Sequence, residues 1–217
     1  MTLERVTLAS REPLLNSKTR WVYEHPDTPD VLIKVHMRRF DSSPQTGLKG
    51  WLVRRKDHFL YTTGILRELK QFVESRYLGP NGPCYPEIQP YIEPVYGVVE
   101  TDIGLGLLVS AARDAEGNLA PSLLRLRRQG AMTSERHAKL DKMLQALLDT
   151  RLMIGDLNQE NIVLKNSGQP DERFVLIDGL GERTWIPTQS LVGWVNRRRK
   201  HAFVATMRQR LQGDRNG

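Results

Sequence analysis

Three oxygen-bearing side chains lie close together in the stretch 153–181, MIGDLNQENIVLKNSGQPDERFVLIDGLG. Asp156 stands in a short turn, and Asn161 follows it at the start of an apolar run. Asp178 ends the next apolar run and is followed by a glycine. The two apolar runs are typical of strands, and the polar segment between them contains Gly and Pro, as hairpin loops do. Pairing of the strands is expected to bring Asp156, Asn161 and Asp178 to one end of a hairpin.

These residue types suit magnesium and phosphoryl transfer. Mg²⁺ prefers hard oxygen ligands and often takes only one or two from the protein. Phosphoryl transfer also needs a carboxylate that orients the attacking hydroxyl. The order Asp156-Leu157-x-x-x-Asn161, an apolar strand and Asp178-Gly179-Leu180 follows the kinase pattern D-L-x-x-x-N and D-F-G. The simpler alternative is that Asp156 caps a turn and Asp178 begins an ordinary turn, but the combination favours the magnesium site.

On these motifs the chain resembles the protein-kinase-like superfamily, and most closely the PhoP regulatory network protein YrbL family. Weaker support comes from Ile33-Lys34-Val35 and from the segment 113–119, and the resemblance spans Pro13 to Gly181. It implies an α+β, two-lobed protein-kinase-like fold with a reduced C-terminal lobe. Residues 1–112 would form a β-rich nucleotide-binding lobe with one long helix. Residues 113–217 would form a mainly helical catalytic lobe with a basic tail helix.

The resemblance also implies roles for individual residues. Asp156 would orient the acceptor hydroxyl and accept its proton, while Asn161 and Asp178 would hold Mg²⁺. Lys34 would grip the phosphates of ATP, and Glu68 on the following helix would brace it. The alternative for Lys34 is a solvent-facing lysine on an edge strand, and for Glu68 a solvated helix charge.

The nucleotide contacts of the first lobe are less distinct in this sequence. In the superfamily the first hairpin covers the phosphates through a glycine-rich turn, but no glycine occurs from Met1 to Thr46. Ser17 and Thr19 in the corresponding turn, together with backbone amides, are the candidate phosphate contacts. Ser110, Ala111 and Ala112 are the candidate hinge residues, whose backbone would meet adenine. The departure places ordinary ATP binding in question.

Periodicity predicts the elements that must position these residues. Strands are expected over Trp21–Tyr23, Val31–Val35, Val95–Glu100, Gly106–Ser110 and the two apolar runs of the hairpin, with Gly106–Ser110 at the sheet edge. The segment Arg38–Lys56 is predicted to be an inserted loop, and the segment around Pro86–Pro94 an irregular extended path. Helices are expected from Thr62 or Thr63 to Tyr77, over Pro121–Leu126, from Thr133 or Ser134 to Arg151, and over 188–211.

Composition narrows the class of protein. The 217 residues are 39% hydrophobic and 26% charged, which is typical of a folded domain. No apolar run reaches the length of a transmembrane helix, and the N-terminus lacks the apolar segment of a secretory signal. The single cysteine, Cys84, excludes an internal disulfide framework. We therefore expect a cytoplasmic location. The net charge of +7 favours anionic partners.

The tail and the segment before Asp156 depart from a protein kinase. No Ala-Pro-Glu motif follows Gly181, so the peptide-docking half of a protein kinase is expected to be absent. Ile154 stands where the superfamily usually has a histidine. The tail helix carries a basic cluster, residues 197–200, which either faces solvent or lies on an anionic surface or partner.

Three functions follow from these observations. The first is an ATP- and Mg²⁺-dependent phosphotransferase whose unknown acceptor is, from charge alone, a small anionic metabolite, a sugar or a lipid headgroup. The second is a catalytically inactive kinase-like regulatory or binding protein. The third, a nucleic-acid-binding protein, is permitted by the charge but is supported by no aromatic-interleaved or zinc-type motif.

Overall fold

The computed structural model describes residues 5–16, 20–36, 47–77, 85–155, 157–180 and 193–213. Contacts divide the chain into two compact units, residues 1–70 with 94–111 and residues 71–93 with 112–217. The sequence-based division at residue 112 differs from this, since the segment 71–93 packs with the second unit. An antiparallel sheet and several helices are present, so the expected mixture of α and β elements is confirmed.

The first unit contains a five-stranded antiparallel sheet. Its strands are β1 (Leu15–Asn16), β2 (Arg20–Glu24), β3 (Val31–His36), β4 (Val95–Thr101) and β5 (Gly104–Ser110). The spatial order is β1-β2-β3-β5-β4, so β5 pairs on both sides and β4 is the edge strand. The expectation that β5 would lie at the edge is therefore wrong.

The strand β3 lies at the centre of this sheet. Four consecutive residues, Leu32 to Val35, are buried, as expected for a central strand that is covered on both faces. Ile33 and Val35 form a core cluster with Leu8 and Tyr23. This position explains why a lysine within β3 is withdrawn from water.

One long helix, α1, spans Gly47–Tyr77 and contains 31 residues. The predicted helix start at Thr62 or Thr63 is wrong, and so is the predicted loop over residues 47–56; residues 37–46 lie outside the described part of the chain. Leu, Lys and Arg are frequent between residues 48 and 56, and these strong helix formers outweigh the interior Gly50. Gly47 begins the helix with a φ of +71°, which favours glycine at this position.

The second unit contains the remaining elements. They are a 3-10 helix (Pro86–Tyr91), α2 (Leu123–Arg128), α3 (Ser134–Leu148), β6 (Ile162–Lys165), β7 (Arg173–Leu176) and α4 (Gly193–Gly213). The 3-10 helix replaces the expected extended path, since proline is well tolerated at the first helical position. Thr133 caps the start of α3 as predicted. Ser122 caps α2, which begins at Leu123 and not at Pro121 as predicted.

The core of the second unit lies between α3 and the β6–β7 hairpin. Both strands of the hairpin pair antiparallel, from Ile162 opposite Leu176 to Lys165 opposite Arg173. Helix α3 was predicted to bury an apolar stripe. Four of its members are buried, namely Leu140, Met143, Leu144 and Leu147, whereas the fifth, Leu148, is half-buried. Phe174 is fully buried on β7. The hairpin is therefore held by apolar contacts along its length, which fixes the residues at its open end.

The tail helix α4 packs on the second unit through Val204, Met207 and Leu211, which are buried. Arg197, Arg198 and Arg199 are exposed as expected. The expectation that Lys200 would share their solvent-facing surface is wrong, because its side chain is only 3% exposed. Within the described ranges, neither α4 nor any other helix has the length and apolar character required to cross a membrane.

Candidate active site

A buried ion pair in the first unit joins the predicted strand lysine to the predicted helix glutamate. Lys34 Nζ donates to Glu68 Oε1 at 2.9 Å, and the two side chains are 8% and 5% exposed. Lys34 projects from β3 and Glu68 from α1. The alternative of a solvent-facing lysine is therefore wrong, as is the alternative of a solvated Glu68.

The sequence interpretation missed a second cation at this carboxylate. Arg20 Nη1 donates to Glu68 Oε2 at 3.2 Å, and the Arg20 side chain is 11% exposed. Lys34 pairs with Val22 and His36 pairs with Arg20, so Arg20 and Lys34 lie on the same face of the sheet. This strand register was the signal that could have identified Arg20.

Gly64 on α1 lies close to the His36 side chain of β3. This glycine lies one helical turn before Glu68, and a Cβ built on it would lie 2.5 Å from Cε1 of His36. A side chain at this position would therefore have to displace the His36 ring. Gly64 was not among the predicted site residues, because its role depends on the distance between two elements.

The second unit carries the predicted metal ligands at the open end of the β6–β7 hairpin. The Ile177 amide donates to the Asn161 carbonyl at 3.0 Å, which extends the strand pairing by one step. Asp178 follows directly, and its Oδ1 accepts a hydrogen bond from the Gly179 amide. Gly179 has a φ of +93°, which favours glycine and turns the chain here. Asn161 and Asp178 are thus brought to the same end of the hairpin, as predicted.

Asp156 lies outside the described residues, but its neighbours are placed against the same turn. The Gly155 amide donates to the Gly179 carbonyl at 2.9 Å, and Ile154 forms an antiparallel bridge with Leu180. The chain on the N-terminal side of Asp156 is therefore attached to the segment that follows Asp178. Ile154 is 6% exposed, so it acts here as a packing residue.

Two amide side chains between Asp156 and Asn161, both missed by the sequence interpretation, shape the loop. Asn158 Oδ1 accepts hydrogen bonds from the amides of Glu160 at 2.8 Å and Asn161 at 3.0 Å. This turn fixes the backbone that leads into Asn161. Gln159 Oε1 accepts from Arg127 Nη1 at 2.8 Å, and the Gln159 carbonyl accepts from the Leu124 amide at 3.2 Å. The residues between Leu157 and Asn161 therefore have structural roles that the motif does not specify.

Residues 151–153, which lead to Asp156 in the sequence, form hydrogen bonds with side chains of α1 and α4. The Met153 amide donates to Gln71 Oε1 at 3.1 Å. Asn196 Nδ2 on α4 donates to the carbonyl of Leu152 at 3.0 Å and to that of Arg151 at 3.2 Å. Asn196 Oδ1 is buried without a hydrogen-bond partner in the described part of the chain.

Lys200, one helical turn after Asn196, meets the C-terminal end of α3. Its Nζ donates to the carbonyls of Thr150 at 2.7 Å and Leu147 at 3.0 Å. The Leu147 carbonyl, in the last turn of α3, also accepts from Thr150 Oγ1 at 2.9 Å, and Thr150 follows the end of the helix. A lysine ammonium is well suited to cap carbonyls at this end of a helix. Burial lowers the pKa of Lys200 to about 8, with a further lowering by Arg197 that Asp149 opposes.

Of the candidate nucleotide contacts, the structure describes those in the predicted hinge but not those in the predicted turn. Ser17 and Thr19 lie outside the described residues. Ala111 and Ala112 are buried, the Ala111 amide donates to the Asp30 carbonyl at 2.7 Å, and the Ala112 carbonyl accepts from Ala120 at 2.9 Å. In the described ranges, the Ala111 carbonyl and the Ala112 N–H, which belong to one peptide, make no backbone hydrogen bond.

The donor set at the hairpin end suits Mg²⁺ because Asn161 and Asp178 offer an amide and a carboxylate oxygen. The residues that the structure describes contain no group of three or more His, Cys, Asp or Glu that could hold a metal ion. Asp156 is outside those residues. A soft or tetrahedral metal site is not what this oxygen-only set would provide.

The chain matches known sequences over most of its length. The family described as PhoP regulatory network protein YrbL matches residues 6–212. Relatives from Escherichia coli (strain K12) and Shigella flexneri, both described as an uncharacterized protein YrbL, are each 25% identical over 193 residues. The aligned part covers 87% of this chain and 80% of each relative. The chain therefore belongs to the PhoP regulatory network protein YrbL family.

Proposed function

We propose that this chain is an ATP- and Mg²⁺-dependent phosphotransferase with a two-lobed protein-kinase-like fold and a reduced C-terminal lobe. The observation that carries the proposal is the buried contact between Lys34 on a central strand and Glu68 on the following helix. A buried ion pair has a large desolvation cost and is weak evidence for stability alone. A lysine held in this way is well suited to meet phosphate oxygens.

The residues of the second unit supply the other roles. Asn161 and Asp178 would hold Mg²⁺, which neutralises charge on the phosphate oxygens. The acceptor hydroxyl oxygen forms a bond to the γ-phosphorus of ATP, and the bond to the β–γ bridging oxygen breaks. ADP leaves, and the hydroxyl proton passes to the Asp156 carboxylate. Positioning and charge stabilisation provide most of the rate enhancement in such a reaction.

The second candidate is a kinase-like regulator that binds nucleotide without transferring phosphate. It is favoured by the absence of glycine before residue 47 and by the buried, purely apolar Ile154 at the position of the usual histidine. The family description also refers to a regulatory network. This candidate predicts nucleotide binding with no turnover.

Nucleotide binding is tested by thermal unfolding with ATP, with and without Mg²⁺. Ligand at about 100 times its dissociation constant adds roughly 2.7 kcal/mol to stability, which corresponds to a rise of roughly 5–10 °C for a chain of this size. Asp178→Ala should lose the Mg²⁺-dependent part of the rise. Asp171→Ala should keep it, because Asp171 lies in the distal loop of the same hairpin and its side chain is 60% exposed.

Two outcomes separate the candidates. The absence of any shift at millimolar ATP would contradict both nucleotide-binding proposals. If ATP binds, slow ADP release that disappears in Asp156→Asn while the shift remains would support the phosphotransferase. The regulator would be supported by a shift with equal, background ADP release in both proteins.

A further inference from the structure

The second half of α1 has an unusual distribution of polar and apolar residues. Besides Ile65 and Phe72, its inward face buries three polar residues, namely Glu68, Gln71 and Ser75. Its outward face exposes three large apolar side chains: Leu66 is 55% exposed, Val73 36% and Tyr77 62%. A helix on the surface of a folded domain normally buries its apolar residues and presents polar ones to water.

The polar residues of the inward face are accounted for by their contacts. Glu68 accepts from Lys34 and Arg20. Gln71 Oε1 accepts from the Met153 amide at 3.1 Å, and the Ser75 hydroxyl donates to the Phe72 carbonyl at 2.8 Å. The outward apolar residues have no comparable explanation within the described part of the chain. A surface of this kind indicates a protein partner.

The exposed residues follow a heptad spacing. Within residues 64–77 the exposed side chains are Leu66, Lys70, Val73 and Tyr77, which form the α1 stripe. The steps between them are four, three and four residues. This is the spacing of the d and a positions of a coiled coil, where residues of one helix pack between those of another. The α1 stripe therefore matches a partner that is itself a helix.

A second copy of α1 fits the stripe in one orientation. In a parallel, in-register pair each a position faces the same position, so Lys70 would face Lys70 of the second copy. In an antiparallel pair Lys70 would face Val73 of the second copy, and Leu66 would face its Tyr77. Facing lysines repel each other, whereas a lysine stem can pack on a valine while its ammonium reaches water. The antiparallel pair is therefore favoured.

The charges beside the stripe are complementary in this antiparallel pair. Arg67 and Glu74 directly follow Leu66 and Val73, so they lie on the same edge of the stripe, and both are half-buried. Antiparallel pairing about the centre of the stripe places Arg67 of each copy near Glu74 of the other, and the twofold axis generates this pair twice. Gln71 also donates to Glu74, but a carboxylate accepts several hydrogen bonds. Charges at such flanking positions set partner choice and orientation.

We infer that the α1 stripe binds the α1 stripe of a second copy, antiparallel and across a twofold axis, and that the protein is a reversible homodimer. The stripe extends over residues 66–77, which is roughly 16 Å of helix. This is short beside a standard interface, which buries about 1,600 Å², so we expect association at micromolar or higher concentration. Glu68 lies on the opposite face of α1, and its contacts would remain in the dimer.

Sedimentation velocity of the full chain, from micromolar to near-millimolar concentration, tests the dimer. The mass should rise from 24.9 kDa toward twice that value. Val73→Lys would face Lys70 of the other copy, and we expect the dimer dissociation constant to rise by about tenfold or more. Val73→Glu would bring a carboxylate to that lysine and should keep the dimer. Val98→Lys is the matched control, because Val98 is 44% exposed on β4 and lies outside α1.

A mixture of two charge variants tests the orientation. Arg67→Glu gives a chain with acidic residues at both flanking positions, and Glu74→Arg gives a chain with basic residues at both. Each variant alone should dimerise less than the wild type, because like charges would face each other. An equimolar mixture should restore the dimer. The two positions are seven residues apart, roughly 10 Å along the helix, so pairing within one chain cannot explain the restoration.

Each outcome decides the inference. Wild-type association that is lost in Val73→Lys, kept in Val98→Lys and restored by the mixture supports it. A wild-type mass that stays at 24.9 kDa overturns it. A dimer that survives Val73→Lys, one that is lost equally in Val98→Lys, or a mixture without restoration also overturns it. Thermal unfolding of every variant excludes misfolding, and lysine is a better helix former than valine. If Val73→Lys nevertheless unfolds, the mixture decides.

Discussion

Glu68 accepts hydrogen bonds from Arg20 and Lys34 at the same time, and all three side chains are nearly withdrawn from water. Glu68→Gln keeps the shape of the side chain but removes its charge. Two buried cations would then lose this carboxylate, and we expect the free energy of unfolding to fall by about 3–5 kcal/mol. Urea denaturation measures this change directly.

An exposed pair in the same unit provides the control. Glu100 lies 3.9 Å from Arg5, and its side chain is 68% exposed. Glu100→Gln should change stability by no more than about 1 kcal/mol, since exposed pairs contribute little. Equal losses of unfolding free energy for Glu68→Gln and Glu100→Gln would contradict the expectation that the buried contact of Glu68 matters more than the exposed one.

Gly64 offers a second test at the scale of one residue. Alanine normally stabilises an interior helical position relative to glycine by up to about 1 kcal/mol. Here the new Cβ would meet the His36 ring, so Gly64→Ala is expected to lower stability instead. In a His36→Ala background the obstacle is removed, and the same change should then stabilise. The two thermal unfolding differences should therefore have opposite signs; equal signs would contradict the close contact.

The predictability of the site differs from residue to residue. Lys34 and Glu68 were accessible from the sequence because one interrupts an apolar strand and the other lies on a helix of clear periodicity. Arg20 and Gly64 were not, because their roles depend on strand register and on the distance between α1 and β3. The role of Asp156 remains a prediction.

At the scale of elements, α4 is attached to the end of α3 by Lys200. The unfolded pKa of lysine is near 10.5 and the folded pKa of Lys200 is about 8. Below pH 8 both states hold the proton. As pH rises from 8 to 10.5 the folded state releases it first, so this group contributes increasing stability over that interval. Urea titrations at several pH values should show the wild type gaining stability relative to Lys200→Met.

The control for this pH dependence is Lys142→Met, because Lys142 is exposed on α3. Between pH 8 and 10.5, its stability difference from the wild type should change less than that of Lys200→Met. A constant difference for Lys200→Met would mean that Lys200 titrates alike in the folded and unfolded states. Arg197 and Asp149 are the charged neighbours of Lys200.

Elements were predictable where local pattern and packing agree. The strands of the sheet and of the β6–β7 hairpin alternate or are continuously apolar, and they lie close to their predicted limits. The first half of α1 was missed because its basic residues and glycines resemble a loop in composition. The burial of Lys200 depends on which face of α4 meets α3, and the polar sequence of that helix does not specify the face.

At the scale of the whole molecule, the chain is basic. It carries a net charge of +7, and Arg197 to Arg199 are exposed on α4. Excess positive charge accelerates the encounter with anions and is screened by salt. If ATP is the substrate, as proposed, its rate of binding should therefore fall as the salt concentration rises.

The division of the chain into units also matters for dissection of the protein. Residues 71–93 pack with the second unit although they precede most of it in sequence. Within this segment Phe72, Ile88 and Ile92 are buried. A fragment that ends at residue 112 would expose these side chains, so the two units are not separable by one cut.

The hydrogen bonds from Asn196 can form only after the tail of the chain has been synthesised. Asn196 follows Leu152 by 44 residues, yet it is the side chain that meets the Leu152 carbonyl near the proposed base. At about 5–20 residues per second on a ribosome, that partner is added roughly 2–9 s later. Until then water must satisfy the carbonyls of the nascent chain. Support of the segment 151–152 is thus coupled to translation of the tail, and a prematurely terminated chain would be released with this segment unsupported.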